Sequence, residues 1–222
     1  MSSLFNLYLQ GGWVMHPILL CSLVALYVMV ERFLTLRRAR SIPNGFLAEL
    51  RNFIRKGDVQ SAILYVTRYD IPVGRIVKSG LQKLHRGSAR VQQAMEDQGR
   101  AEAAILDRYM GVLATMAGVA PLLGFLGTVV GIAIAFDQIA ALGGKVSPDA
   151  LADGISQALY TTVFGLIVGI PAFAAYNYLS GMIQGIIAEL ENTARETFDT
   201  IEEELPQGMP HATITQPEQR AQ

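Results

Sequence analysis

Two stretches of this chain, Gly111–Phe136 and Gly154–Ala188, contain no Lys, Arg, Asp or Glu. Each exceeds the roughly 20 residues that a helix needs to cross a bilayer. Both are crowded with Gly, Ala and Thr rather than with Leu and Ile alone. A helix facing only lipid has no need of small residues, whereas one that must approach another helix closely does. The chain therefore reads as an all-α membrane protein whose spans pack tightly around a polar seam.

The remaining charges fall between and beyond these windows. Residues 31–110 hold 15 of the 18 Lys and Arg against 8 Asp and Glu, and the tail from Glu189 holds 2 basic and 8 acidic residues. A third, shorter apolar span runs from Val14 to Val30, after Gly11-Gly12-Trp13 and before Glu31-Arg32. The first 30 residues lack the basic region of a secretory signal, so this segment is read as a retained first helix. Arg32, Arg37, Arg38 and Arg40 follow span one, and Arg100 and Arg108 precede span two. Between spans two and three stands only Lys145, with Asp137, Asp149 and Asp153. By the positive-inside rule the order is an outer N-terminus (1–13), span one (14–30), a cytoplasmic helical region (31–110) and span two (111–136). A periplasmic connector (137–153), span three (154–183), a cytoplasmic helical extension (184–205) and a tail read as disordered (206–222) complete it.

Within the 31–110 region the pattern predicts helices over Gly45–Arg55 and Val59–Arg68, the latter capped by Asp58, and a third beginning at Pro72. Ser88 is the expected cap of a single helix running from about Ala89 to about Ile139. The lone cysteine, Cys21, lies in an apolar run and forms no intrachain disulfide.

In span two, Ala117, Pro121, Gly124, Thr128, Gly131 and Ala135 recur at helical spacing, and Gly127 and Gly131 form a close-approach pair. In span three, Ala158, Thr162, Gly165, Gly169, Ala172 and Tyr176 recur in the same way. Gln157 shares a face with Thr161 rather than with Thr162. These stripes are either packing surfaces, with each hydroxyl bonded to a carbonyl of its own helix, or walls of a polar path. Pro121 and Pro171 each leave a carbonyl four residues earlier, on Ala117 and Ile167, without its helical donor. No carboxylate, Lys or Arg lies deep in any span, although intramembrane ionisable groups are what usually relay protons. His16 and the outer aspartates read as interfacial or solvated groups.

The runs ATMAGVAPLLGFLGTVVGIAIAF (Ala114–Phe136) and GISQALYTTVFGLIVGIPAFAAYNYL (Gly154–Leu179) resemble the two most distinctive segments of the ExbB/TolQ/MotA proton-channel family. GGWVMHPILLCSLVALYVMVER (Gly11–Arg32) is similar to its first helix. The likeness covers about residues 11–205, and three spans with a short outer N-terminus fit the ExbB and TolQ branches. It implies a homopentameric bundle around a central pore. It also implies an ExbD- or TolR-like single-span partner that brings an intramembrane aspartate, and a TonB- or TolA-like protein that receives the energy. Thr128 and Thr162 match the family's pore threonines. Several members carry glutamate where this chain has Gln157, which makes the partner's aspartate the proton carrier and leaves Gln157 and Thr161 as polar groups of the wall. Gly124, Gly127, Gly131, Gly165, Gly169, Pro121 and Pro171 are expected at packing or pore-facing positions.

No cofactor or metal is implied, and nothing resembles an enzyme's nucleophile–base set or phosphate loop. A structural scaffold and a small-solute channel are the rival readings. The basic 31–110 region lacks interleaved stacking aromatics and reads as a solvated face near anionic lipid, not as a nucleic-acid site.

Overall fold

A computed structural model describes residues 8, 10–40, 43, 45–141 and 148–204. The expected 137–153 connector and the 206–222 tail thus lie wholly or partly outside the described residues. From Met15 onward the described residues form, in order, the α-helices α1 Met15–Ala39, α2 Phe46–Arg55, α3 Val59–Tyr69, α4 Pro72–Leu81, α5 Ser88–Leu106, α6 Met110–Ala141 and α7 Pro148–Glu204. A 3-10 turn at Leu84–Arg86 precedes α5, and no strand occurs among the described residues. Among the described residues three helical stretches, over Met15–Ala39, Ser88–Ala141 and Gly154–Glu203, are long and apolar enough to cross a membrane.

The helices form two compact units. The first draws on Met1–Leu36 and Asp107–Met182, the second on Arg37–Leu106 and Ile183–Gln222. In the first unit α1 buries Met15, Ile18, Cys21, Ala25, Val28, Arg32 and Leu36, one residue per helical turn. Val14, Met15 and Ile18 pack against Leu123 of α6 and against Phe164 and Val168 of α7. The opposite face of α1 exposes Leu19, Leu20, Leu23, Leu26 and Tyr27. Such a face suits hydrocarbon and would be a liability in water.

The second unit owes its helices to local signals that the sequence states openly. The Asp58 carboxylate accepts the Ser61 N–H at 3.0 Å and so caps α3. A hydrogen bond from the Ser61 side chain, and after it this backbone bond, hold the Asp58 carboxyl below its ordinary value. The cap is expected to persist above the usual aspartate range and to be lost as pH falls through the depressed value, read as faster exchange of the Ser61 amide. Pro72 opens α4, where its missing N–H costs nothing. Gly80 lets α5 approach α4: a Cβ there would lie 2.6 Å from Met95 Cγ. The Ser79 hydroxyl donates to the carbonyls of Ile76 (2.7 Å) and Ala94 (3.0 Å), tying the two helices. An ion pair joins Arg51 of α2 to Glu196 of α7.

Two expectations are corrected. Ser88 is the first residue of α5, not its cap; the Gly87 carbonyl accepts the first helical bond, from Val91 N–H. The single helix expected from Ala89 to Ile139 is broken at Asp107–Tyr109. Tyr109 has φ 65, and its carbonyl starts α6 by accepting from Leu113 N–H. Left-handed backbone costs a non-glycine residue about 1–2 kcal/mol. The Tyr109 ring is flanked by the guanidinium of Arg32 at 5.4 Å and that of Arg108 at 4.6 Å. Cation–π contacts of about 0.5–1 kcal/mol each are of the size needed to offset that strain.

Candidate functional site

The seam between α6 and α7 is built from residues with almost no side chain. On α6 the buried residues are Met110, Leu113, Ala117, Ala120, Gly124, Gly127, Gly131 and Ala135. Over 154–172, the part of α7 that faces α6, they are Gly154, Ala158, Thr161, Gly165, Gly169 and Ala172. The two helices run antiparallel and interlock glycine by glycine. A Cβ on Gly131 would lie 2.9 Å from the Gly154 carbonyl oxygen, and one on Gly124 2.8 Å from that of Thr161. One on Gly165 would lie 2.7 Å from the Ala120 carbonyl oxygen and 3.0 Å from Gly124 Cα. The obstacles are backbone atoms, which no rotamer change can move aside.

Gly124, Gly127, Gly131, Gly165 and Gly169 thus all lie in the seam. Pro121 is half-buried beside it, and a Cβ on Gly169 would meet Pro121 Cγ at 2.4 Å and the Ala117 carbonyl oxygen at 3.2 Å. The carbonyl that Pro121 leaves without a helical donor is therefore covered by the Gly169 backbone. Pro171 behaves differently. It lies on the exposed face of α7, as does Ile167.

The three threonines take distinct places. Thr161 is fully buried; its side chain fills the notch over Gly127 and its hydroxyl donates to the Ala158 carbonyl at 2.8 Å. Thr162 is half-buried and donates across the seam to the Gly124 carbonyl at 3.1 Å. Thr128 is half-buried and donates to the Phe125 carbonyl of its own helix at 2.6 Å. The seam is centred on Gly127 and Thr161, one position from the stripe that spacing predicts, and Thr128 and Thr162 stand at its rim. Gly127 is the reason: only a residue without Cβ can receive Thr161 there.

Gln157 points elsewhere. Gly12, at φ +70, lies against its amide, and a Cβ on Gly12 would sit 2.2 Å from Gln157 Nε2. His16 is exposed, with Nδ1 3.1 Å from the Trp13 carbonyl and its ring edge-on to Tyr8. Among the described residues the buried charged side chains are Arg32 and Glu102, and neither lies in the seam. Sequence patterning marked neither one as buried. Arg32 keeps helical phase with the buried face of α1, and Glu102 shares a face with Met95 and Leu106, which is the signal that could have found them.

Chemically, the seam offers hydroxyls and backbone carbonyls but no group that titrates near neutral pH. It can hydrogen-bond a migrating proton's carrier; it cannot store the proton.

Residues 69–192 match the MotA/TolQ/ExbB proton channel family. A protein of Methanothermobacter thermautotrophicus described as a biopolymer transport protein ExbB homolog is 30% identical over 190 residues, covering 85% of this chain and 67% of that protein. The ExbB-like 1 protein of Synechocystis is 28% identical over 96% of this chain and 88% of its own length. Biopolymer transport protein exbB1 of Vibrio cholerae is 28% identical over 87% of this chain and 86% of its own length. With three membrane-capable helices and a match spanning both helices of the seam, the chain belongs to the MotA/TolQ/ExbB proton channel family.

Proposed function

We propose that this chain is the inner-membrane proton-channel subunit of an ExbB–ExbD-type motor. In this reading the N-terminus faces the periplasm and the C-terminus the cytoplasm, and five copies surround a pore. A single-span partner places its aspartate beside Thr128 and Thr162. Proton passage then drives work on a TonB-like protein for active transport at the outer membrane; a TolQ-like role in envelope integrity uses the same parts. The observation that carries it is the seam: two helices locked by glycines along their charge-free stretches, with two half-buried hydroxyls at the rim and no acid within those stretches. A charge moving down the membrane potential releases about 2.3 kcal/mol per 100 mV. That energy is usable only where the wall does not itself short-circuit the gradient.

The hydrogen bonds of Thr128 and Thr162 also favour a second reading, in which both hydroxyls serve packing alone. Alanine at both positions separates the two. Under the motor reading the Thr128→Ala/Thr162→Ala chain assembles at normal yield with its partner, while energised output falls to background. Unchanged proton flux and output in that variant would leave only the packing role. Loss of the assembly itself would show the hydroxyls to be structural.

A further inference from the structure

We propose that the break at Asp107–Tyr109 is a two-state joint latched by Arg32, able to switch between interrupted and continuous helix. Three observations meet there. The segment Asp107-Arg108-Tyr109 contains neither Gly nor Pro, so nothing local forbids a helix running through it. Tyr109 nevertheless holds a left-handed backbone at φ 65, while Met110 N–H bonds the Asp107 carbonyl at 3.1 Å in a tightened turn. The contacts that accompany this conformation are tertiary: Arg32, buried on α1, and the exposed Arg108 flank the Tyr109 ring. Glu31 in turn holds the Arg32 guanidinium through Nε and Nη2, and Thr35 donates to the same carboxylate at 3.1 Å. The latch is thus aimed by its own hydrogen bonds, and a non-glycine residue stays left-handed only where its surroundings hold it.

The two states differ in what they transmit. A continuous helix carries a rotation or tilt of the span into α5, whereas an interrupted one absorbs it at a few backbone dihedrals. Arg32 on α1 therefore decides whether movement of α6 is passed on. This inference needs neither the partner protein nor the pore reading.

The test uses the full chain in bilayers, labelled with 13C-tyrosine. The Tyr109 carbonyl and Cα signals, identified by their loss in Tyr109→Phe, report its backbone conformation. The wild type is expected to give left-handed values. Arg32→Gln is expected to move the interrupted-to-continuous ratio about two- to fivefold toward helix, the fold-change of one cation–π contact at an exposed ring, and Arg32→Lys to retain most of the break. Should Arg32→Gln fail to insert, Arg108→Gln, at an exposed side chain, takes its place with a smaller shift in the same direction. A helical Tyr109 signal in the wild type overturns the proposal. So does a left-handed signal that persists unchanged in whichever of these glutamine variants inserts.

Discussion

Replacing Gly165 by alanine is expected to destabilise the α6–α7 pair by about 2–3 kcal/mol, the upper part of the range for overpacking. The added methyl would lie 2.7 Å from the Ala120 carbonyl oxygen, 3.0 Å from Gly124 Cα and 3.2 Å from Gly124 N. All three are backbone atoms, so the helices themselves must separate. Separation would also stretch the Thr162–Gly124 hydrogen bond, already 3.1 Å long. Gly118→Ala is the matched control, because a Cβ there meets nothing within 4 Å in the chain. Thermal unfolding in detergent should therefore show a large loss for Gly165→Ala and none for Gly118→Ala. Gly127→Ala tests the same seam in another way. Its methyl would strike the Thr161 side chain, with Cβ at 2.4 Å. Thr161→Ala added to Gly127→Ala should recover much of the loss, a coupling that independent sites would not give. Equal behaviour of Gly165→Ala and Gly118→Ala would mean that the seam is looser than described.

The second large effect lies in the other compact unit. Glu102→Ala is expected to cost about 3 kcal/mol, the lower end of the range for breaking a buried ion pair. The Glu102 carboxylate accepts Arg75 Nε and Nη2, both at 2.7 Å, and the Gln98 amide at 2.8 Å. Arg75 also reaches the Asp70 carbonyl and carboxylate, both at 2.9 Å. Glu102's hydrogen bonds, with help from Asp70, hold the Arg75 guanidinium above its ordinary value. The lower end applies because the Arg75 side chain is about one third exposed and can recover some hydration when its partner is removed. Asp70 closes α3 at φ 43, so the pair also fixes the α3–α4 turn to α5. Glu102→Gln keeps the shape and should cost about 1–2 kcal/mol. Amide exchange over α4 and α5 in the full chain reads the difference. Equal protection in wild type and Glu102→Ala would show the pair to be idle.

Much of this molecule is written in its sequence. Charge-free windows disclose the membrane helices because hydrocarbon tolerates so little charge, and Asp58 and Pro72 mark the starts of α3 and α4 because each solves a specific hydrogen-bond problem. The small-residue stripes disclose the seam, but only to within one residue. Spacing alone cannot tell whether Thr128 or Gly127 sits at the centre, since both fall within one helical face. The partner's side chain decides, and Thr161 selects the glycine. The break at Tyr109 is not legible locally, because it accompanies contacts with Arg32, 77 positions away in the chain. Gln157 illustrates the same limit: periodicity places it beside Thr161, whereas the structure turns its amide against Gly12.

In the proposed motor this chain supplies hydroxyl-bearing walls while another polypeptide supplies the titrating acid. Proton flux into vesicles under an imposed potential tests it most directly, with the purified chain alone and with a single-span partner carrying an intramembrane aspartate. The expected result is background flux for the chain alone, flux with the partner, and background again when that aspartate becomes asparagine. Sustained proton flux from the chain alone, undiminished by Thr128→Ala/Thr162→Ala, would contradict it.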